Sequence, residues 1–268
     1  MQIADKVVVI TGAGSGIGAE LARRFAALGA EAVVVSDRDG DAAGAVAASI
    51  NDTLPTGIVV SDRTDVSDPA QIQALVAATI DRFGRVDLFC SNAGITTGGG
   101  VEASLEEWQR TFDINVLAHV HAARSVVPTM LANGGGYLLN TASAAGLLTS
   151  PGDAPYAVTK HAAVAFAEWL AVTYGGQGIG VSVLCPLGVA TPLLMDPLAE
   201  NHPSAQTVAA SGEIISTERV ADAVVDGLEQ EKFLILPHPE VASYWVQKAT
   251  DPDRWLAGVR RLVGGGRS

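Results

Sequence analysis

The stretch Thr11-Gly12-Ala13-Gly14-Ser15-Gly16-Ile17-Gly18 decides the fold. It follows the apolar run Lys6–Ile10, which predicts a buried strand, and precedes Ala19–Leu28, whose Ala- and Leu-rich pattern predicts a helix. Glycines permit a tight turn and close approach of the backbone to a ligand, and the first helical turn offers unpaired N–H groups. A plain strand-to-helix turn could use the same residues, so the flanking strand and helix carry the argument. The stretch predicts a turn that binds the pyrophosphate of a dinucleotide.

The remaining chain alternates short runs of Val, Ile and Leu with longer segments of helical periodicity, a pattern typical of successive strand–helix–strand units. Seven strands are predicted, at Lys6–Ile10, Ala32–Ser36, Ile58–Ser61, Leu88–Ser91, Tyr137–Asn140, Val181–Cys185 and Phe233–Pro237. Helix starts are predicted at Ser67-Asp68-Pro69, at the capping box of Ser104 and Glu107, and at Thr217. We therefore expect an α/β fold of the Rossmann type, a single domain over residues 1–268 with a doubly wound sheet of seven parallel strands flanked by helices.

Composition narrows the classes of function. The chain has 268 residues and a net charge of −12, which would repel polyanions because nucleic-acid binding depends on Lys and Arg, so we expect no nucleic-acid partner. Cys90 and Cys185 lie in apolar runs, which indicates buried reduced thiols and a cytoplasmic protein. No basic and apolar leader begins the chain, and no apolar stretch approaches the ~20 residues that cross a bilayer, so we expect neither secretion nor a membrane partner.

An acidic residue, Asp37, ends the second predicted strand, 19 positions beyond Gly18. A carboxylate there accepts hydrogen bonds from the ribose hydroxyls of the adenosine and repels a 2′-phosphate, so we expect NAD rather than NADP. The neighbouring Arg38 is a competing observation, since a guanidinium could bind a 2′-phosphate. Ser15, however, supplies no second cation in the glycine turn.

Tyr156 and Lys160 lie one helical turn apart on a helix that is predicted to begin near Pro155. A nearby ammonium favours the phenolate, so the spacing predicts a lowered pKa for Tyr156 and a role as acid or base. By itself the pair also fits a half-buried Tyr beside a solvated Lys. Ser143 follows the fifth predicted strand, at the sheet end where the nicotinamide would lie, so three polar groups converge there.

With these motifs the chain resembles the short-chain dehydrogenase/reductase family over about residues 3–237. The matching positions are Thr11-Gly12-x-x-x-Gly16-x-Gly18, Asp65-Val66, Asn92-Ala93-Gly94, Asn115, Ser143 and Tyr156-x-x-x-Lys160. The resemblance implies that Tyr156 transfers the proton, that Ser143 positions and polarises the substrate oxygen, and that Lys160 lowers the tyrosine pKa and holds the nicotinamide ribose. It also implies a water-linked proton relay through Asn115 and a homo-oligomer, a tetramer or dimer.

The resemblance, together with the glycine turn and Asp37, gives the expected cofactor site. Its residues are Gly12, Ser15, Gly16, Ile17, Gly18, Asp37, Arg38, Asp65, Val66, Asn92, Ala93, Gly94, Tyr156, Lys160, Pro186, Val189 and Thr191. One departure lies after the sixth strand, where Leu187 replaces the family's glycine. Its Cβ restricts positive φ and is expected to direct an apolar side chain towards the substrate.

Two later segments are expected to shape the substrate site. The long connection at residues 192–216 lies beside the carboxyl ends of the strands, which favours a lid over a surface excursion. The tail at residues 239–268 either packs on its own domain or forms an interface between subunits. An apolar alcohol or ketone is the expected substrate, in a pocket formed by Ser143, Ala145, Tyr156, Leu187, Leu193 and Met195.

The predicted reaction is reversible hydride transfer between a secondary alcohol or ketone and NAD, with Tyr156 as general acid and base. None of the five histidines has ligand spacing, so we expect no catalytic metal. Alternatives are a non-catalytic NAD-binding regulator, disfavoured by the intact Ser143, Tyr156 and Lys160, and an enoyl reductase, a branch that spaces Tyr and Lys more widely. An epimerase or dehydratase would belong to longer relatives.

Overall fold

A computed structural model describes residues 1–54 and 58–264. Its main sheet has seven strands, all in parallel pairs. The strands are β1 (Val7–Thr11), β2 (Ala32–Asp37), β3 (Ile58–Arg63), β4 (Leu88–Ser91), β5 (Gly136–Thr141), β6 (Ile179–Leu184) and β9 (Leu234–Ile235). Across the sheet their order is β3-β2-β1-β4-β5-β6-β9. The expected Rossmann-type sheet of seven parallel strands is confirmed, and each predicted strand overlaps an observed one.

Helices cover both faces of the sheet, which is why β1, β4 and most of β2 are buried and read as continuous apolar runs. They are α1 (Gly16–Ala27), α2 (Gly40–Asn51), α3 (Pro69–Phe83), α4 (Leu105–Phe112), α5 (Ala118–Ala132), α6 (Ala154–Tyr174), α7 (Pro192–Ala199), α8 (Pro203–Ser211), α9 (Thr217–Glu229), α10 (Glu240–Thr250) and α11 (Pro252–Gly264). Helices α1, α2 and α9 pack with one core cluster, and α3, α5 and α6 with the other. Two layers of helices thus enclose the sheet.

The helix caps agree with the sequence in most places. Asp68 accepts the N–H of Ala70 at the start of α3, and Ser104 and Glu107 form a full capping box at the start of α4. The start of α9 was predicted one residue too late, because the cap is Ser216 rather than Thr217.

The order of strands reverses between β1 and β4, so the loops after these strands diverge and leave a crevice at the carboxyl end of the sheet. Ligands bind at this position in open α/β sheets. The glycine turn follows β1, and the Asn92-Ala93-Gly94 segment follows β4.

The predicted lid is ordered at its base by a second, two-stranded parallel sheet that the sequence did not predict. Here β7 (Gly188–Val189) pairs with β8 (Ile214–Ile215), and helices α7 and α8 lie between them. The predicted tail forms α10 and α11 as far as residue 264, while residues 265–268 lie outside the described residues. Across the described ranges, no helix has both the length and the apolar character that a membrane crossing requires.

Candidate active site

The glycine turn lines the crevice in a backbone conformation that depends on its glycines. Gly12 has φ +65° and Gly16 has φ +55°, values that L side chains rarely adopt. Ser15 occupies the N-cap of α1 without a capping bond from its side chain. The first N–H groups of a helix have no partner within it, so they and the Ser15 hydroxyl are available to an anionic ligand.

One predicted cofactor residue, Gly18, has a role in packing. It is buried and does not line the crevice. A Cβ at this position would clash with the carbonyl oxygen of Gly12 and the side-chain nitrogen of Asn92. Gly18 therefore permits α1 to pack closely on the strand ends, and its contact with the cofactor stays a prediction.

The adenosine end of the crevice is built around Asp37. Its Oδ2 accepts the N–H of Gly14 at 2.9 Å and its Oδ1 accepts the N–H of Asp39 at 3.0 Å, so the carboxylate is fixed beside the glycine turn. Arg38, Asp65 and Val66 line the same end.

At the other end, Ser143, Tyr156 and Lys160 line one wall of the crevice, as predicted. Lys160 is only 2% exposed, and its Nζ donates to the carbonyl oxygen of Thr141 at 3.0 Å and lies 5.6 Å from the centre of the Tyr156 ring. Ser143 precedes a short 3₁₀ turn at Ala144–Gly146, and its hydroxyl accepts the N–H of Ala145 at 3.1 Å.

The pKa of Tyr156 differs from the expected direction. Burial disfavours the phenolate and raises the pKa to about 12, while the hydrogen bond with Ser143 acts in the lowering direction and is the smaller effect. Burial also lowers the pKa of Lys160 to about 8, because an ammonium loses solvation there. Desolvation, which sequence spacing does not reveal, is the largest effect on the pKa of the phenol.

The loop that carries Ser143 lies unusually close to the helix that carries Tyr156. A Cβ on Gly146 would clash with the carbonyl oxygen of Lys160 and would press on Val164. The absence of a side chain at Gly146 therefore sets how closely the two chemical groups approach.

Asn115 is fully buried within a π-helical segment, Asp113–Leu117, that joins α4 to α5. Its side chain accepts the N–H of Ile95 at 2.9 Å, and donates to the carbonyl oxygen of Ile95 at 3.0 Å and to Thr159 Oγ1 at 3.1 Å. Single π-helical turns often mark functional sites. A Cβ on Gly94 would lie 3.3 Å from both Asn115 Oδ1 and Lys160 Nζ, so the two groups flank the same glycine.

A chain of hydrogen bonds connects the two ends of the crevice. Lys160 donates to the carbonyl oxygen of Thr141, and the Thr141 hydroxyl donates to Asn92 Oδ1 at 3.1 Å. Asn92 Nδ2 donates to the carbonyl oxygens of Thr11 and Gly12 at 3.1 and 3.2 Å. The glycine turn and the lysine are therefore positioned relative to each other by side chains as well as by the sheet.

Asp153 is a positioning residue that sequence reasoning missed. It is buried at the N-cap of α6, where Oδ1 accepts the N–H of Tyr156 at 3.0 Å. The carboxylate also accepts the N–H groups of Thr97 and Gly98 and the Thr97 hydroxyl, at 2.9–3.0 Å. Its place just before Pro155, as a helix-capping aspartate, was a signal that could have identified it.

The substrate side extends beyond Ser143 and Tyr156 into a cleft that, with the cofactor crevice, has a volume of about 1120 Å³. Ala145, Leu187 and Leu193 line it as predicted, and Leu187 is outside the positive-φ region, so its Cβ causes no backbone strain. Met195 is 41% exposed on α7 and does not line the cleft, so its role as a pocket residue stays a prediction.

A buried histidine, His238, fixes the base of the predicted lid. Its Nδ1 accepts the N–H of Leu187 at 3.1 Å, which places the proton on Nε2. That proton lies between the carbonyl oxygens of Gly188 and Glu213, at 3.1 and 3.2 Å. No group of three or more possible ligands (His, Cys, Asp or Glu) for a metal ion occurs in the parts of the chain at 1–54 and 58–264.

The crevice fits a dinucleotide on the residues present. Backbone donors and a helix N-terminus face the position of the pyrophosphate, the fixed carboxylate of Asp37 faces the adenosine, and Lys160 lies at the nicotinamide end. Apart from Gly18, all predicted cofactor residues line this one crevice.

A comparison with family models agrees with this geometry, since residues 6–201 match the model described as short chain dehydrogenase. The chain belongs to the short-chain dehydrogenase family. As in that family, it is an oxidoreductase that acts on secondary alcohols and ketones, and solved relatives bind NAD or NADPH.

Among curated members of the short-chain dehydrogenase family, the 1-deoxy-11-beta-hydroxypentalenate dehydrogenase of Streptomyces avermitilis is 36% identical over 262 residues, covering 96% of this chain and 93% of the relative. A solved family member from Burkholderia phymatum in complex with NAD has a TM-score of 0.86 and 31% identity, covering 95% and 96% of the two chains. A member from Sphingobium yanoikuyae in complex with NADPH has a TM-score of 0.78 and 26% identity, covering 94% and 95%.

Proposed function

We propose that this short-chain dehydrogenase uses NAD to interconvert a secondary alcohol and its ketone, with Tyr156 as the general acid and base. The observation that carries the proposal is the convergence of Ser143, Tyr156 and Lys160 on the wall of a crevice whose other end is the glycine turn. NAD supplies the hydride acceptor of this chemistry when it is bound.

Each of the three residues then has a distinct task. Tyr156 exchanges the proton of the substrate oxygen, and Ser143 donates a hydrogen bond to that oxygen as negative charge develops on it. Below the Lys160 pKa of about 8 the ammonium is present, and a Tyr156 pKa of about 12 keeps the phenol protonated. At neutral pH the free site is therefore prepared to donate a proton to a carbonyl.

Substitution of Tyr156 by Phe tests this assignment. Loss of the hydroxyl removes the proton-transfer group, so we expect kcat to fall by about 100-fold or more, while the Kd for NAD stays within about twofold, since one hydroxyl contributes little to the binding of a large ligand. The measurements are steady-state reduction of NAD with a panel of secondary alcohols, and calorimetric titration with NAD.

The control is Tyr174→Phe, a change at the far end of the same helix, which should retain wild-type turnover. Full activity of Tyr156→Phe would exclude Tyr156 as the acid and base. NAD binding by the wild type without turnover of any alcohol would favour the regulator.

The preference for NAD over NADP is proposed on the position of Asp37. Its carboxylate lines the adenosine end beside the glycine turn, where a 2′-phosphate would meet like charge. Arg38 at the same end is a single cation, and Ser15 adds no second.

We expect kcat/KM to favour NAD by at least about tenfold, the effect of roughly 1.4 kcal/mol of like-charge repulsion. Replacing Asp37 by Ser should remove most of this preference, while Asp39→Ser, a neighbouring carboxylate outside the crevice, should leave it unchanged. A wild type that prefers NADP would refute the proposal.

The substrate is proposed to have an apolar body, since Ala145, Leu148, Leu187 and Leu193 line the cleft beyond Ser143. The name of the Streptomyces avermitilis relative adds that a family member of similar length acts on a hydroxylated acid with a specific skeleton. A hydroxy acid with an apolar skeleton is therefore included in the proposed substrate range.

A further inference from the structure

The far wall of the substrate cleft is formed by the C-terminal arm, defined here as α10 and α11 together, residues 240–264. Its position is fixed by Lys248, whose Nζ donates to the carbonyl oxygens of Leu147 and Leu148 at 2.7 and 2.5 Å. The same ammonium lies 5.6 Å from the centre of the Trp255 ring. The start of α11 is thus held against the loop that begins at Ser143.

Two arginines of the arm, Arg254 and Arg261, line this cleft. They are seven residues apart on α11, two helical turns, so they lie on one face at a separation of about 10 Å along the axis. Trp255, Val259 and Leu262 line the cleft beside them and provide its apolar surface. The neighbouring Arg260 does not line it.

The charges around the two arginines favour an anionic ligand. Within residues 1–54 and 58–264, neither arginine forms an ion pair, although the chain has 29 acidic and 17 basic residues. The acidic side chains on this side of the cleft, Asp153 and Asp251, accept main-chain N–H groups instead. The wall therefore carries two exposed arginines that form no ion pair among the described residues.

We propose that Arg254 and Arg261 form an anion-binding pair that selects substrates with a carboxylate at the end of an apolar skeleton, remote from the reacting alcohol. The inference rests on the proposed function and adds the substrate class to it. Guanidinium groups bind carboxylates through paired, charge-assisted hydrogen bonds. The skeleton would lie on Leu187, Leu193 and Trp255, with its alcohol at Ser143 and Tyr156.

The experiment compares hydroxycyclohexanecarboxylates and penultimate-hydroxy fatty acids of graded length, each with its methyl ester. The wild type is expected to favour the acid by about tenfold or more in kcat/KM, the usual scale of a charge-assisted hydrogen bond. In the double variant Arg254→Ala/Arg261→Ala this preference should disappear through a higher KM for the acid. The KM for NAD and the kinetics of the ester should not change.

Arg260→Ala is the matched control, since it removes the same charge from the same helix outside the cleft, and Arg254→Lys/Arg261→Lys should restore part of the preference. Titration of NAD-loaded protein with unreactive cyclohexanecarboxylate gives a second readout that needs no turnover, and binding should be lost only in the double alanine variant.

Equal use of acid and ester by the wild type would overturn the inference while the proposed function stood. A preference that survives in the double variant would also overturn it. A rise in the KM for NAD instead would show that the arginines serve the cofactor's phosphates. Failure of the wild type to oxidise any acid, ester or neutral alcohol would refute the proposed function, and the titration would then decide the anion site by itself.

Discussion

Among single residues, His119 is an imidazole near the reaction site that burial keeps in its neutral form. It is buried on α5, with Nδ1 3.0 Å from Asn140 Oδ1, and Nε2 has no protein partner within the described residues. Burial, and secondarily the charge of Lys160, lower the pKa of His119 to about 4. The imidazole is therefore neutral at physiological pH and adds no positive charge beside Lys160.

This pKa predicts acid sensitivity. The folded protein binds the proton less readily than the unfolded chain, whose His titrates near 6.5, so stability decreases as the pH falls from about 6.5 towards 4. Between about pH 7 and pH 5, His119 should account for a loss of about 2 kcal/mol in the free energy of unfolding.

Urea denaturation at both pH values checks this, and His119→Gln should remove most of the difference. His121→Gln, two positions along the same helix, is the control and should behave like the wild type. An unchanged pH dependence in His119→Gln would contradict the lowered pKa.

The sequence predicted which residues form the site better than it predicted their pKa values. Tyr156, Lys160 and Ser143 could be assigned from spacing because one helical turn and one strand end fix where side chains lie. The pKa of Tyr156 depends on desolvation by chain segments that are distant in sequence, so its direction could not be read from Lys160 alone. Asn115 could be assigned only through the resemblance, because its three bonds depend on tertiary packing.

At the scale of elements, helices α7 and α8 form the predicted lid, whose two ends meet in a short two-stranded base. That base consists of β7, β8 and the three main-chain bonds of His238. We propose that the lid moves over bound substrate, as lids do when they exclude water from a reaction. The base then determines where the lid begins to move.

Substitution of His238 by Ala should loosen this base. Buried backbone groups would lose their partner, which costs about 3 kcal/mol in the free energy of unfolding. The KM for the alcohol should rise by about tenfold, because His238 holds the main chain of Leu187, which lines the substrate cleft. Chemical denaturation and steady-state kinetics measure both effects.

His202→Ala, within the lid rather than at its base, is the comparison, and its unfolding free energy should decrease by less than about 1 kcal/mol because its partner is the nearby Ser204. An unchanged KM for the alcohol in His238→Ala would argue against a role of the base in substrate binding.

Long, strongly periodic elements were predictable, and short ones were not. Seven strands and the glycine turn follow from apolar runs bounded by turn residues. Strands of two residues, such as β7 and β8, are too short to show any alternation, so the base of the lid was missed. The π-helical segment at Asp113–Leu117 continues a helical pattern and differs only in its hydrogen bonds.

At the scale of the whole molecule, we expect the sheet to fold and the cofactor crevice to form without α11. Helix α11 has no buried residue, whereas α10 has Val241 fully buried in the core. A chain that ends at Thr250 should therefore fold and bind NAD with a Kd within about twofold of the wild type, because α11 lies on the substrate side.

The shortened chain should lose the wall of the substrate cleft. The KM for a neutral apolar alcohol is expected to rise by about tenfold. This is the effect of losing apolar contact with the substrate roughly equal to the burial of one large apolar side chain. Steady-state kinetics and NAD titration measure the two effects, and a chain that ends at Gly264 is the control. Loss of NAD binding in the shortened chain would show that α11 supports the whole crevice.

Gly146 fixes the distance between the loop that carries Ser143 and the helix that carries Tyr156. With no room for even one methyl group between Gly146 and the carbonyl oxygen of Lys160, the gap between the serine loop and the tyrosine helix is already at its minimum. Any side chain at Gly146 would push the loop and the helix apart, so the hydroxyl groups of Ser143 and Tyr156 would move away from each other. Variation at this position would therefore alter the rate of the chemical step before it altered the choice of substrate.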